Sequence, residues 1–386
     1  MCPRFESRWY HSLRQCAGAA FFLTFAKIKS VHQLERQLAA LISDLEMDCV
    51  AWVREKNLDA RLIDCYREQI LCHCSAPLVE LDVDGGEKLK QWAALEETLQ
   101  QFEEWGITRS SLVLTTGGGA LSDAFGLAAS IWKRGCRVIH MPTTSLAAID
   151  AAWGGKTALN WHGAKNQIGT FHQPVHVHLD ARWMHTLDSR NFRAGLAEAA
   201  KHALLDTAAF KLFQESTPTW PMRSEEDEDQ WTSWLRNSAR VKQSIVAADE
   251  FEKGERVTLN LGHTVAHALE AFAHEKNVDL LHGEAVAVGL HFAFFEAREG
   301  ALADALVNPS QFEPSSWMTQ WLNDHIPTPN FTLPSSDEMW HWMTHDKKNQ
   351  RDEVRDVAWR GVGNVVWPVS WQKETFEATW NRFSRL

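Results

Sequence analysis

The sequence predicts an α/β domain built on a parallel sheet, residues 1–183, followed by a mainly α-helical domain, residues 184–386. Three observations carry this. At 386 residues the chain is too long for one comfortable core. Through "CRVIHMPTT" (136–144), short apolar runs alternate with amphipathic stretches, the pattern of strands with covering helices. Beyond residue 184, helical periodicity dominates.

The elements follow in order. "VHQLERQLAALISDLEMD" (31–48) carries apolar residues at helical spacing, and "CVAWVREKN" reads as a short buried strand and its exit. "ARLIDCYREQIL" is helical and "APLVELDVD" a strand. "EKLKQWAALEETLQQFEEWG" predicts one long amphipathic helix, stopped by Gly106. "SSLVLTT" is a strand, "GGGALSD" a tight turn, "AFGLAASIWKRG" a helix and "CRVIHMPTT" a further strand. In the second half, "GLAEAAKHALL" and "WLRNSARVKQSIVAADEFE" are helical. Between them "STPTWPMRSEEDEDQ" reads as a loop whose acidic run, Glu225–Asp229, is solvated surface. No internal repeat is present.

Composition excludes several classes. Charged residues make up 23% and hydrophobic residues 45%, as in ordinary globular proteins. The net charge of −11 argues against a general nucleic-acid binder. No apolar run approaches the roughly 18–20 residues needed to span a bilayer. "AGAAFFLTFA" after Arg4, Arg8 and Arg14 faintly imitates a signal peptide, but Lys27 and Lys29 follow and no clean cleavage site does. It is expected to be the first strand. Seven scattered cysteines fit a reducing compartment, and a cytoplasmic location is expected. Cys72 and Cys74 lack a second pair and read as core or surface thiols. The 19 Trp against 2 Tyr have no account in composition. Trp317, Trp321, Trp340 and Trp342 sit in amphipathic stretches and predict core packing.

Chemistry-bearing residues cluster in a few stretches. "SLVLTTGGGALSDAFG" places glycines between a strand and a helix start, where backbone N–H groups favour a phosphate or pyrophosphate. A plain tight turn is the alternative. "MPTTSLAAIDAAWGGKTALNWHGAKNQIG" gathers Thr143, Thr144, Asp150, Lys156, Lys165 and Asn166 among small residues. Glu198 and Lys201 stand at i and i+3, a helix ion pair at the least. Lys242, Arg256 and Asn260 precede "NLGHTVAHALE", which sets His263 and His267 four apart, about 6 Å along one helix face. That spacing suits either a shared metal or ordinary packing. His282 opens an apparent helix, and Glu198, His263 and His282 make a three-ligand N/O set suited to a catalytic divalent ion such as Zn²⁺.

"GGGALSD", "PTTSLAAIDAAWGGKTALN", "GAKNQIG", "GLAEAAKH", "LNLGHTVAHALE" and "HGEAVAVG" together resemble the 3-dehydroquinate synthase family of sugar-phosphate cyclases. The resemblance runs from about residue 50 to "DKKNQRDEVRDVAWRGVGN". It implies a Rossmann-like NAD-binding domain and a helical metal-binding domain with the active site between them. It also implies conversion of 3-deoxy-D-arabino-heptulosonate 7-phosphate to 3-dehydroquinate and phosphate, a step of the shikimate pathway to aromatic amino acids. Oxidation at C5 acidifies the C6 proton, phosphate leaves by β-elimination, hydride returns, and an intramolecular aldol step closes the ring. NAD is regenerated.

The resemblance assigns roles residue by residue. Glu198, His263 and His282 would bind the metal, Zn²⁺ or alternatively Co²⁺. Position 264 is Thr, so no H-E-x-x-H base exists, and His267 would face the substrate without binding the metal. Gly117, Gly118 and Gly119 would carry the NAD pyrophosphate, with Asp123, Thr143, Thr144, Lys165 and Thr186 nearby. Asn57, Glu87 and Lys90 would complete that pocket. Lys242, Arg256 and Asn260 would grip the substrate carboxylate. Lys156, Asn166 and one of Lys347 and Lys348 would hold the phosphate. Arg134 would reach the same phosphate from a neighbouring subunit, implying a homodimer. Asp150 and Lys201 would contact the reacting hydroxyls. So many cations around a small anionic substrate describe a basic pocket in an acidic protein.

The chain departs from the family's usual pattern in places. Glu55 in "VREKN" stands where an aspartate usually meets the ribose, and Ser122 where glycine is common. "LDVDGGEKLK" replaces a Pro-Asp-Gly-Glu segment, and the N-terminus is atypical. Competing expectations are a cyclase acting on a heptulose or hexose phosphate lacking the carboxylate, a metal-dependent polyol dehydrogenase, and a catalytically silent cyclase.

Overall fold

The computed structural model describes residues 33–162, 164–299, 312–327, 331–344 and 354–386. The expected N-terminal strand, Lys347 and Lys348 lie outside the described residues. The first half runs α1 (Leu34–Asp44), β1 (Val50–Glu55), α2 (Ala60–His73), β2 (Leu78–Val83), α3 (Trp92–Glu104), β3 (Leu112–Gly117), α4 (Gly119–Ile131) and β4 (Arg137–Pro142). A small antiparallel pair, β5 (Leu159–Trp161) and β6 (Ala164–Ile168), precedes β7 (His176–Val177). The main sheet is parallel throughout, in the order β2-β1-β3-β4-β7.

Side-chain alternation explains the layers. Ala51, Val53, Val113 and Val138 pack with Leu95, Phe102 and Phe125 of α3 and α4. Val50, Trp52, Leu112, Leu114 and Ile139 pack on the opposite face with Leu38, Ile42, Leu62 and Tyr66 of α1 and α2. Successive strand residues point to opposite faces, so a sheet covered on both sides needs apolar residues at nearly every position.

Among the described residues the second half contains α5 (Ser189–Leu205), α6 (Thr207–Glu215), α7 (Glu225–Ala248), α8 (His263–Glu275), α9 (His282–Glu299), α10 (Phe312–His325) and α11 (Ser336–Thr344), then β8 (Val354–Trp359), β9 (Val365–Trp371) and α12 (Lys373–Phe383). Its core contains Trp231, Trp359, Trp371 and Trp380, each almost fully buried. Trp321 is buried, and Trp317, Trp340 and Trp342 pack against the same core, as amphipathic spacing predicts. Among the described residues Cys72 is an exposed thiol and Cys74 half-buried. No described helix is long and apolar enough to cross a membrane.

Three local expectations are corrected. The helix expected from Glu87 is split: a 3-10 turn, Glu87–Lys90, precedes α3 at Trp92. Lys90 is buried in that turn and reaches across to Asp123 at 2.6 Å, which a continuous surface helix does not require. The acidic run Glu225–Asp229 is not loop but the start of α7. Ser224 accepts a hydrogen bond from the Asp227 N–H, and the acids complement the positive end of the helix dipole. The β8–β9 hairpin interrupts the helical half, burying Val354, Trp359 and Trp371 and turning through Gly361 and Gly363, whose φ values are 133° and 71°.

Candidate active site

β3 ends at Gly117, Gly118 caps α4, and α4 starts at Gly119 with no side-chain cap. Free backbone N–H groups at a helix N-terminus attract an anion. A Cβ on Gly117 would lie 2.9 Å from Glu55, and one on Gly119 would lie 3.1 Å from the Ala151 Cβ, so close packing demands glycine here. Glu55 extends into the turn and accepts from the Gly118 N–H at 3.1 Å. Burial raises its pKa, and the Gly118 N–H partly offsets this. Ser122 is buried and turns its hydroxyl back onto the Gly118 carbonyl at 3.3 Å.

Around the turn, Lys90 Nζ bonds Asp123 and also Asn166 Oδ1. Asn160 donates to Glu87 at 2.6 Å. Thr143 donates its N–H to the Gly117 carbonyl at 3.0 Å, and the Thr144 hydroxyl accepts from the Ala147 N–H at 3.1 Å. Asn57 follows β1 at φ 69°. Thr186 closes the 3-10 turn Ala181–Thr186. Thus Asn166, expected at a phosphate, sits with Lys90 of the expected cofactor pocket.

The Ala147–Ala151 segment is a π-turn, a form concentrated at functional sites. It presents Asp150, whose Oδ2 lies 2.9 Å from Lys242 Nζ and whose Oδ1 lies 3.7 Å from Lys201 Nζ and 3.4 Å from His202 Nε2. Burial would raise the Asp150 pKa, but the two lysines hold it well below the ordinary range. For Lys242 burial prevails over Asp150 and lowers the pKa. Arg256 is buried, donates from Nη2 to the Gly154 carbonyl at 2.9 Å, and keeps a buried Nε with no hydrogen-bond partner among the described residues.

α5 brings Glu198, Lys201 and His202 inward together. Glu198 Oε1 lies 3.3 Å from His263 Nε2 and 3.1 Å from His282 Nε2. One ligand atom from each of Glu198, His263 and His282 falls within 4.8 Å of the others, compatible with a single divalent ion. The two histidines open α8 and α9, which pack on each other, and α9 also packs closely on α5, the helix that carries Glu198. A Cβ on Gly283 would fall 1.7 Å from the Ala194 carbonyl oxygen. His267, one turn beyond His263, has its ring 5.5 Å away and nearly perpendicular. Burial would raise the Glu198 pKa; Lys201 and His263 outweigh that and hold it well below normal.

Two acidic residues absent from the sequence-based set join the site. Glu252, at φ 56°, pairs with Lys156 and accepts from Asn260 Nδ2 at 3.1 Å. Glu270 lies 3.1 Å from His282 Nδ1. Glu270 stands seven residues after His263, two turns along the same helix face, a spacing that could have revealed it. Arg134 is exposed at φ 70°, in the turn after α4.

The comparisons with known proteins agree along the chain. Residues 80–194 match the model described as 3-dehydroquinate synthase N-terminal, and residues 195–349 that described as 3-dehydroquinate synthase C-terminal. A 3-dehydroquinate synthase of Parabacteroides distasonis is 32% identical over 343 residues, covering 88% of this chain and 92% of the relative. One of Rhodopseudomonas palustris is 38% identical over 294 residues, covering 76% of this chain and 75% of the relative. Among solved structures, a 2-deoxy-scyllo-inosose synthase complexed with carbaglucose-6-phosphate, NAD⁺ and Co²⁺ is similar in fold, with a TM-score of 0.73 at 23% identity over 89% of this chain and 93% of that one. The 2-epi-5-epi-valiolone synthase of Streptomyces hygroscopicus, with NAD⁺ and Zn²⁺ bound, gives 0.72 at 24% identity, over 90% and 93%. With both family models matched in order, the chain belongs to the 3-dehydroquinate synthase family.

Proposed function

We propose that this chain converts 3-deoxy-D-arabino-heptulosonate 7-phosphate to 3-dehydroquinate and phosphate in the cytoplasm, using NAD and a divalent ion, Zn²⁺ in preference to Co²⁺. The observation that carries the reading is the joining of two sites through Asp150. Lys201 sits beside both Asp150 and Glu198 of the three-ligand cluster, while Lys242 meets the other carboxylate oxygen of Asp150 and Arg256 lies within electrostatic reach of the same carboxylate. A substrate with adjacent hydroxyls and a carboxylate matches that pairing.

NAD supplies reversible hydride exchange at C5 and the divalent ion polarises the hydroxyls it holds. The chain's own residues position and balance charge. The Gly117–Gly119 turn, Asp123, Thr143, Thr144, Lys165 and Thr186, with Asn57, Glu87 and Lys90, hold the dinucleotide. Glu198, His263 and His282 hold the ion. Asp150, Lys201 and His267 meet the reacting hydroxyls. Lys242, Arg256 and Asn260 grip the carboxylate; Lys156, Asn166 and one of Lys347 and Lys348 grip the phosphate. Arg134 completes the phosphate site of a second copy in a homodimer. We place the domain boundary near residue 184.

Incubation of the purified chain with the heptulosonate phosphate, NAD and Zn²⁺ tests this. Phosphate release without net NADH is the expected result. Net NADH would mark a polyol dehydrogenase, turnover of a heptulose or hexose phosphate alone would mark another cyclase, and no product with any would mark a silent one.

A further inference from the structure

His263 and His282 both aim Nε2 at Glu198, and each ring's other nitrogen has a different keeper. His263 Nδ1 faces the Leu261 carbonyl at 3.1 Å, two residues back on its own chain. His282 opens α9 with its Nδ1 3.1 Å from Glu270 Oε2, a carboxylate on α8. The Glu270 side chain is only 17% exposed, and its other oxygen lies 3.5 Å from Lys165 Nζ on β6. Lys165 is 58% exposed, so that second contact contributes little.

We propose that Glu270 is a positioning residue for the metal centre: it accepts the His282 Nδ1–H, fixes the tautomer, and keeps Nε2 as the free ligand atom facing Glu198. A histidine at the first position of a helix has no preceding turn of that helix to restrain its ring, so its orientation rests on this carboxylate. Carboxylate-held imidazoles are better metal ligands than free ones. The inference rests on the metal-binding reading above.

The test titrates the full-length, chelator-stripped chain with Co²⁺, following its visible absorption, alongside Glu270→Gln, Glu270→Ala and His263→Ala. Loss of an orienting partner typically costs roughly 10–100-fold in metal affinity. Glu270→Ala is expected to weaken Co²⁺ binding within that range and alter the absorption bands. Glu270→Gln, which keeps an acceptor oxygen, should recover part of the loss. The metal-free melting temperature separates positioning from a merely structural ion pair, because only the latter lowers it in proportion. Affinity and bands like the parent's in both Glu270 variants, with His263→Ala defective, would overturn the role of Glu270 alone. So would an affinity loss matched by metal-free destabilisation. A parent chain that takes up no Co²⁺ would overturn the metal centre and this role with it.

Discussion

Lys242 Nζ reaches both ends of Asp150, bonding its carboxylate at 2.9 Å and its backbone carbonyl at 2.7 Å. One lysine from α7 thereby fixes the charge and the backbone of the π-turn. Lys242→Met keeps most of the volume and leaves Asp150 to Lys201 and His202. Breaking a buried pair costs about 3–5 kcal/mol, and the surviving Lys201 sets the expected loss near 3 kcal/mol. Urea unfolding measures that loss, and kcat/KM for the heptulosonate phosphate should fall by about 100-fold or more. Reduced stability with unchanged kcat/KM would confine Lys242 to propping Asp150.

The two departures near the glycine turn have different weights. Ser122 turns its hydroxyl into α4, so Ser122→Gly should leave the NAD dissociation constant unchanged while costing about 0.5–1 kcal/mol in helix stability. Glu55→Asp shortens the carboxyl that holds the Gly118 N–H and frees that donor. One net hydrogen bond is worth about 1 kcal/mol, so NAD binding should tighten by roughly 3–5-fold. Calorimetric titration of NAD into both variants decides this, and weaker binding to Glu55→Asp would show that Glu55 reads the ribose at its full length.

Metal removal gives a sharper contrast. Dialysis against a strong chelator should abolish turnover, and Zn²⁺ or Co²⁺ should restore it. His263→Ala should purify with little metal. His267→Ala should keep near-parental metal content and turn over slowly. Elemental analysis beside steady-state rates reads both, and metal loss in both variants would place His267 among the ligands.

Stability should fall with acid before the carboxylates titrate. Burial holds the His140 pKa at about 3 and His176 at about 4, against 6.5 when unfolded, and His178 well below that value. His140 is bonded to Thr115 at 2.7 Å and His178 to Tyr66 at 2.9 Å. Their folded-state pKa values are depressed, so the unfolded chain binds more protons below 6.5. The stabilisation is complete above that pH and shrinks as pH falls towards 4. Urea midpoints should decline between pH 6.5 and 5, less steeply in His140→Gln; flat midpoints would contradict the burial argument.

Much of this was legible in the chain. Strand–helix alternation announced the parallel sheet, because residues buried on both faces leave continuous apolar runs such as "SLVLTT". Glu198, His263 and His282 stood out as residue types with metal chemistry. Glu252 and Glu270 did not, because an acid's role depends on which cation the fold sets beside it. Acidity at Glu225–Asp229 was visible, but whether those residues form loop or helix start depended on the Ser224 cap. The break at Gln91 was hidden for a similar reason: Lys90 turns inward to Asp123 and Asn166, partners far from it in sequence.

The π-turn at Ala147–Ala151 carries one residue more than an α-turn would. Each residue advances a helix by about 100°. Removing a single residue there would swing Asp150 away from Lys242 while leaving every side chain in the site chemically intact. At this point the site is addressed by chain length as well as by residue identity. Substitutions can retune it in small steps, but a one-codon deletion switches it off at once.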